Sequence, residues 1–271
     1  MKPRRRFGQH FLQPAWTSRV LHAMAFGPGD RVLEIGPGRG ALTRPLAGSV
    51  ASLTAVEIDR DLAADLRLRL PERVRVIEGD FLEMSADTLF GAAESGAWRV
   101  VGNLPYNVST PILFRLLELA RSDWRLRDGT VMLQREVAER VASPPGTRQY
   151  GVLSIMVQLE ADIDVLLTLP PGAFRPAPKV WSTVIRLRFR APAVDVGDRR
   201  RFEGLLRALF SQRRKMLGNS LKPLAASRTL DAGVILRDAG VDPARRPETL
   251  NLQELARIAH ALDARTPPGV V

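Results

Sequence analysis

A short apolar strand that runs into three closely spaced glycines leaves few folds open. Residues 31–42 read RVLEIGPGRGAL. The aliphatic run predicts a strand over RVLEIG (31–36), and the pattern from about Ala41 predicts a helix directly behind it. Gly36, Gly38 and Gly40 let the backbone between the two bend sharply and come close to a ligand. The alternation of strand and helix continues through SLTAVEID (52–59), an amphipathic stretch with Leu62, Leu66 and Leu70 at fourfold spacing, VRVIEGD (74–80), WRVVGN (98–103) and GTVMLQ (129–134). VLLTLP (165–170) and STVIRLRFR (182–190) alternate as strands added at a sheet edge do. This is the pattern of an α/β, doubly wound domain around a mainly parallel sheet. APAVDVGD (191–198) reads as a linker. FEGLLRALF, SQRRKMLGNSLKPL, ILRDAG and LQELARIAHAL beyond it are helical in pattern, so a domain over 1–192 and a small all-helical domain over 193–271 are expected.

Several functions are excluded by what the chain lacks. Without cysteine there is no disulfide, no thiolate nucleophile and no Cys-ligated metal. His10, His22 and His260 are scattered, so no metal site is expected. No apolar run approaches the roughly 20 residues of a membrane span. The N-terminal MKPRRRFGQHFL is basic but has no apolar core of a signal peptide. A soluble, cytoplasmic protein that does not touch the membrane is expected. The net charge is +11 and is unevenly placed: residues 199–222 hold eight basic residues against Glu203 alone, whereas 223–271 hold six of each sign. Such clustering suits a polyanionic partner, most simply nucleic acid; a solvated Arg-rich surface is the plainer alternative.

The glycine loop alone fits a nucleoside-containing cofactor and does not choose between NAD and S-adenosyl-L-methionine (SAM), because Gly36, Gly38 and Ala41 also satisfy G-x-G-x-x-G/A. Two acids sharpen it. Glu57 ends the second predicted strand, where a carboxylate accepts from ribose hydroxyls. Asp80 ends the third, where it meets the exocyclic amino group of an adenine. Each acid alone would suit a helix cap; in register behind the loop they outline a crevice. No hydride-handling His or Lys stands near a strand end, which favours SAM.

Asn103-Leu104-Pro105-Tyr106, at the end of WRVVGN, fits the N-P-P-Y/F type of motif of methyltransferases acting on amino groups of adenine, cytosine or glutamine. An exocyclic amino nitrogen is a weak nucleophile because its lone pair is delocalised. The Asn103 side-chain oxygen and a main-chain carbonyl of the Leu104–Pro105 turn can accept its two N–H groups and turn its lone pair toward a methyl donor. Proline holds these acceptors in place beforehand. Tyr106 offers a face for a base taken out of its helix. The plain alternative is a β-turn with a buried tyrosine.

Taken together, FGQHFL (7–12), EIGPGRGALT (34–43), VEID (56–59), EGDFL (78–82), GNLPYNVSTPIL (102–113), MLQREVAER (132–140), YGVLS (150–154), FRPAPKVWS (174–182) and the SQRRKML and NSL runs of 209–221 resemble the small-subunit ribosomal RNA adenine dimethyltransferases, the kasugamycin-sensitivity enzymes. The match spans nearly the whole chain, and FGQHFL and SQRRKML are far more specific than the glycine loop. The resemblance implies a Rossmann-like SAM-dependent methyltransferase fold with a C-terminal helical domain that binds rRNA. It implies dimethylation of two adjacent adenosines in a 16S rRNA hairpin, on the small ribosomal subunit or an assembly intermediate, by a monomer. By motif, His10, Leu12, Gly36, Gly38, Glu57, Asp80 and Asn103 would hold SAM. Asn103, Leu104, Pro105 and Tyr106 would present the amino group, with Phe174 facing Tyr106 across the base. A basic helix bearing Arg213, Arg214 and Lys215 would grip rRNA phosphates, with Lys179 as a further RNA contact. Trp181 departs from the family, which commonly carries Asp there. Two other readings stand beside this one: a macrolide-resistance methyltransferase of large-subunit rRNA, and a ribosome-assembly RNA-binding factor without turnover.

Overall fold

The computed structural model describes residues 10–91, 97–123 and 125–266. Phe7, Gly8 and Gln9 of the FGQHFL motif, and the basic arm before them, lie outside the described residues. The chain divides into two compact units, Met1–Ala138 with Ala161–Ala191, and Glu139–Glu160 with Pro192–Val271.

In the first unit β1 (Phe11–Leu12) and α1 (Pro14–Met24) precede the main sheet. Then follow β2 (Arg31–Ile35), α2 (Thr43–Ser49), β3 (Ser52–Glu57), α3 (Arg60–Arg69), β4 (Val74–Glu78), α4 (Ala86–Phe90), β5 (Trp98–Asn103), α5 (Ser109–Ser122) and β6 (Leu126–Gln134). α6 (Arg135–Ala142) and α7 (Val152–Glu160) lead to β7 (Ala161–Leu169), β8 (Phe174–Arg175) and β9 (Ser182–Phe189). The seven-stranded sheet has the order β4-β3-β2-β5-β6-β9-β7. β4, β3, β2, β5 and β6 are parallel. β9 lies antiparallel to both β6 and β7. The two strands expected at the edge are thus at that side of the sheet, with the later one inserted inward of the earlier.

β2 and β5 are buried almost throughout, as strands covered on both faces must be. α3 packs Leu62 and Leu66 inward and is capped by Asp59, whose side chain accepts from the N–H groups of Asp61 and Leu62; Leu70 lies just past its end. Between the neighbouring strands β5 and β6, Arg99 pairs with Asp128 at 3.0 Å, and it also pairs with Asp30 at 2.8 Å, so its buried charge is matched by two acids.

The second unit is helical: α8 (Arg199–Ser211), α9 (Leu217–Ser227), α10 (Ala232–Asp238) and α11 (Leu252–Arg265). The segment Glu139–Glu160 joins it, which the single expected boundary at 192/193 leaves out. The reason lies in α7, where Leu153, Ser154, Ile155, Met156, Val157, Leu159 and Glu160 are all buried. A helix apolar on every side needs other helices around it. Its buried Glu160 is neutralised by Arg199 of α8.

Arg213, Arg214 and Lys215 do not lie on a helix. α8 ends at Ser211, α9 starts at Leu217, and the Lys215 N–H donates to the Gln212 carbonyl at 2.8 Å to close a turn. The burial register explains the break. Phe202, Leu205, Leu206 and Leu209 form the inward face of α8, and an unbroken helix would carry Gln212 and Arg213 into it. By turning back, the chain lets Leu217 and Leu221 pack inward instead. Among the described residues no helix is long and apolar enough to cross a membrane.

Candidate functional site

Because β2, β3, β4 and β5 run parallel, their C-terminal ends meet at one edge of the sheet, where such folds hold ligands. A cavity opens there, lined by His10, Phe11, Leu12, Glu34, Gly36, Gly38, Arg39, Glu57, Ile58 and Asn103–Tyr106, among others. An adjoining hollow shares Gly36, Ile58 and Pro105 with it and reaches Gly79, Asp80, Phe81 and Asn107. Of the residues expected to hold a cofactor, His10, Leu12, Gly36, Gly38, Glu57 and Asn103 line the cavity, and Asp80 lines the hollow.

The glycine loop is held against β3. The Gly36 N–H donates to the Val56 carbonyl at 2.9 Å, and the Gly38 N–H donates to Glu57 Oε2 at 2.9 Å. Gly38 has φ +58, and a Cβ there would stand 3.1 Å from the Phe11 ring. Only glycine meets both demands. Glu57 is buried, with its other oxygen accepting from the Asp59 N–H at 2.9 Å. Burial raises its pKa, while those two backbone N–H groups act against the rise. Each carboxylate oxygen keeps a further lone pair for a ligand donor. Asp80 accepts from the Leu82 N–H at 2.9 Å through Oδ1.

Three residues lining the cavity were missed from sequence. Glu34 is 2% exposed, lines the cavity, and its Oε2 has no hydrogen-bond partner among the described residues. Burial pushes its carboxyl up to about 8; the neighbouring Thr43 hydroxyl opposes this and the Glu57 charge adds to it. Its place just before the glycine loop was the available signal. Phe11 lines the cavity with the Arg39 guanidinium 4.5 Å from its ring centroid. Ile58 lines both spaces and is 47% exposed, an apolar face at a strand end directly after Glu57.

Asn103 ends β5. Its Nδ2 donates to the His10 carbonyl at 2.8 Å. A carbonyl only accepts, so the amide nitrogen must face it and Oδ1 is left to accept from elsewhere. Gly102 directly before it tolerates nothing larger, since a Cβ would lie 2.8 Å from the Ile35 carbonyl oxygen. In the turn that follows, the Pro105 carbonyl accepts from the Val108 N–H at 3.1 Å and the Tyr106 carbonyl accepts from Ser109 Oγ at 3.3 Å. Among the described residues the Leu104 carbonyl has no such donor, so it is the main-chain acceptor the turn offers.

The Tyr106 ring stacks on His10, with centroids 5.3 Å apart and planes at 28°. Its hydroxyl pairs with Ser182 Oγ at 2.7 Å. Burial raises its pKa, opposed by the Ser182 bond, so the phenol stays neutral. The ring of His10 is fixed in turn by Nδ1, 2.7 Å from the Pro176 carbonyl.

Phe174, expected across the base from Tyr106, is not among the residues lining the cavity. It is 1% exposed and sits in a core cluster with Leu12, Val20 and Met24. The ladder between β1 and β8 is the cause: Leu12 lies opposite Phe174 and Phe11 opposite Arg175. Residues directly opposite in an antiparallel pair share a face, so Phe174 lies beside Leu12, which belongs to the same core cluster and also borders the cavity. Lys179 is exposed in the segment between β8 and β9. In the second unit Arg213 is half-buried, its Nη1 donating to the Arg148 carbonyl at 2.8 Å, whereas Arg214 and Lys215 are exposed.

The sequence pattern of a family described as ribosomal RNA adenine dimethylase matches residues 1–262. The chain is 43% identical over 262 residues to ribosomal RNA small subunit methyltransferase A of Acinetobacter baylyi, covering 95% of this chain and 92% of that one. It is 44% identical over 265 residues to the protein of the same name from Pseudomonas aeruginosa, covering 96% and 95%. Among solved structures, a dimethyladenosine transferase from Plasmodium falciparum is similar with a TM-score of 0.77 at 21% identity, over 94% of this chain and 98% of that one. The 23S rRNA methyltransferase ErmE is similar with a TM-score of 0.65 at 26% identity, over 93% and 99%.

Proposed function

From the chain's membership of the ribosomal RNA adenine dimethylase family, we propose that it is the SAM-dependent enzyme that dimethylates the N6 amino groups of two adjacent adenosines in a hairpin of 16S rRNA. The observation that carries the chemistry is the Asn103 amide tied at 2.8 Å to the His10 carbonyl inside the glycine-loop cavity.

The cavity suits SAM in the hydrogen-bonding groups it offers. Glu34 offers a buried carboxyl oxygen without a partner among the described residues, and Glu57 a second buried acid, so the space favours a ligand that brings hydrogen-bond donors. Glu57 would take the ribose hydroxyls, Ile58 the face of the adenine and Asp80 its amino group, with the loop glycines, His10 and Leu12 closing around the remainder. Bound there, SAM supplies a methyl group on a positively charged sulfur.

The chain's own part is to prepare the nucleophile. Asn103 Oδ1 and the Leu104 carbonyl accept the two N–H groups of the target amine, which draws its lone pair out of the ring. Pro105 fixes the turn, so the acceptors need no reorganisation as charge develops on nitrogen. Tyr106 holds the base by its face. Its raised pKa keeps it out of proton transfer, and the proton of the methylated amine leaves to water. The first unit thus performs catalysis, and the second, with Arg214 and Lys215 exposed on its turn, binds rRNA phosphates. The protein acts as a monomer in the cytoplasm, on the small subunit or an assembly intermediate of it. The large-subunit reading is less supported: the small-subunit methyltransferases reach 43–44% identity against 26% for ErmE.

The test is mass spectrometry of small-subunit rRNA from cells with and without the protein, and with Asn103→Ala. Dimethyladenosine at two adjacent positions is expected only with the active chain. Purified Asn103→Ala is expected to lose about 100- to 1,000-fold in turnover. Full methylation by this variant would sink the acceptor mechanism, and unmodified rRNA with the wild-type chain would sink the function.

A further inference from the structure

The segment from Pro176 to Ser182 is tied at both ends to the stacked ring pair of the acceptor site. The Pro176 carbonyl lies 2.7 Å from His10 Nδ1, and Ser182 Oγ lies 2.7 Å from the Tyr106 hydroxyl. Between these anchors Pro178 is buried, while Lys179, Val180 and Trp181 are exposed. Trp181 is 46% exposed and Val180 41%, two of the few large apolar side chains on the surface among the described residues. The backbone of Trp181 is not loose: its carbonyl accepts from the Arg135 N–H at 2.8 Å, and the next residue enters the ladder opposite Gln134.

Topology fixes where this strip lies. β5 and β6 run parallel and end at the ligand edge of the sheet, β5 delivering Asn103. β9 is antiparallel to β6, so it begins where β6 ends. Trp181, immediately before β9, therefore stands on the same rim as the Asn103–Tyr106 turn. An indole kept half in water, with Lys179 exposed beside it, offers a face on which a base can stack and a cation within reach of its phosphate.

We propose that Lys179–Val180–Trp181 is a platform for the nucleotide next to the target adenosine, with the Trp181 indole stacking on its base and Lys179 meeting its phosphate. This rests on the rRNA adenine reading above and deepens it. When one base leaves its stack to lie on Tyr106, its neighbour loses a stacking partner, and the indole replaces it. Both adenosines of an adjacent pair are then held at once, which favours successive methylation of the two.

Steady-state methylation of 16S rRNA by wild type, Trp181→Ala and Trp181→Phe tests this, together with tryptophan emission on addition of an RNA hairpin whose loop holds two adjacent adenosines. Trp181→Ala is expected to raise KM for rRNA about tenfold with kcat and SAM affinity within about twofold, and Trp181→Phe is expected to stay near wild type. Emission should be quenched by the hairpin in wild type and much less in Trp181→Phe. An unchanged KM in Trp181→Ala, equal losses in both variants, or equal quenching in wild type and Trp181→Phe would overturn the proposal. The quenching does not depend on turnover, so a wild-type chain that methylates nothing overturns the functional reading while this platform is judged on its own.

Discussion

Tyr106 meets its surroundings through two different parts: the ring lies against His10 and the hydroxyl is held by Ser182. These parts separate by substitution. Tyr106→Phe keeps the stacking face and loses one hydrogen bond, so a loss of only a few-fold in turnover is expected. Tyr106→Ala removes the face, and about 10- to 100-fold is expected. Equal losses in rRNA methylation would give the hydroxyl the main role. The motif gave away the tyrosine and its face; Ser182, seventy-six residues later, was not legible as its partner. Glu34 makes a different prediction. At low pH its carboxyl is protonated in both the folded and the unfolded chain. Between 4.5 and about 8 only the folded chain keeps the proton. Stability contributed by Glu34 is therefore full at low pH, falls as pH rises through that window and levels off above it. Glu34→Gln, neutral at every pH, removes this slope. In urea unfolding without SAM, wild type should lose more stability than the variant between about pH 5 and about pH 8, by on the order of a few kcal/mol. Parallel losses would mean that Glu34 is ionised in the fold.

Elements were more legible than their neighbours. The strand runs read from composition and alternation all appear, because β-branched runs bounded by glycine and proline leave little choice locally. Their order does not follow from such patterns, since ladder partners come from anywhere in the chain. β9 shows the consequence: inserted between β6 and β7, it carries Ser182 and Trp181 to the acceptor rim. The turn between α8 and α9 is the opposite case. Helical periodicity runs on through SQRRKML, and only the need for two helices to bury apolar faces ends α8 at Ser211. That turn sorts its charges. Arg213 braces the loop at Arg148, while Arg214 and Lys215 are exposed. Arg214→Gln with Lys215→Gln should reduce the salt slope of log Kd for 16S rRNA by about 1.4–1.8 in total, with SAM affinity unchanged. An unchanged slope would place the RNA surface elsewhere.

Across the whole molecule, the clustering of positive charge in residues 199–222 suits a polyanion, and the glycine loop and NLPY come together in the lining of one cavity. The units themselves were half legible. A change from alternating strands to helices located the long C-terminal piece, but Glu139–Glu160 sits among strands in the chain and among helices in space. The sequence by itself determined the α/β class, the glycine loop and the Asn103–Tyr106 turn at the strand end, because each depends on residues close together in the chain, where backbone freedom and hydrogen-bonding groups dictate local shape. Only the tertiary structure decided that Phe174 turns into the core, that Glu34 is a buried acid of the cavity, and that Ser182 and Trp181 reach the Tyr106 rim. These depend on which strand pairs with which and on what desolvates a side chain, and both are settled by contacts between distant parts of the chain.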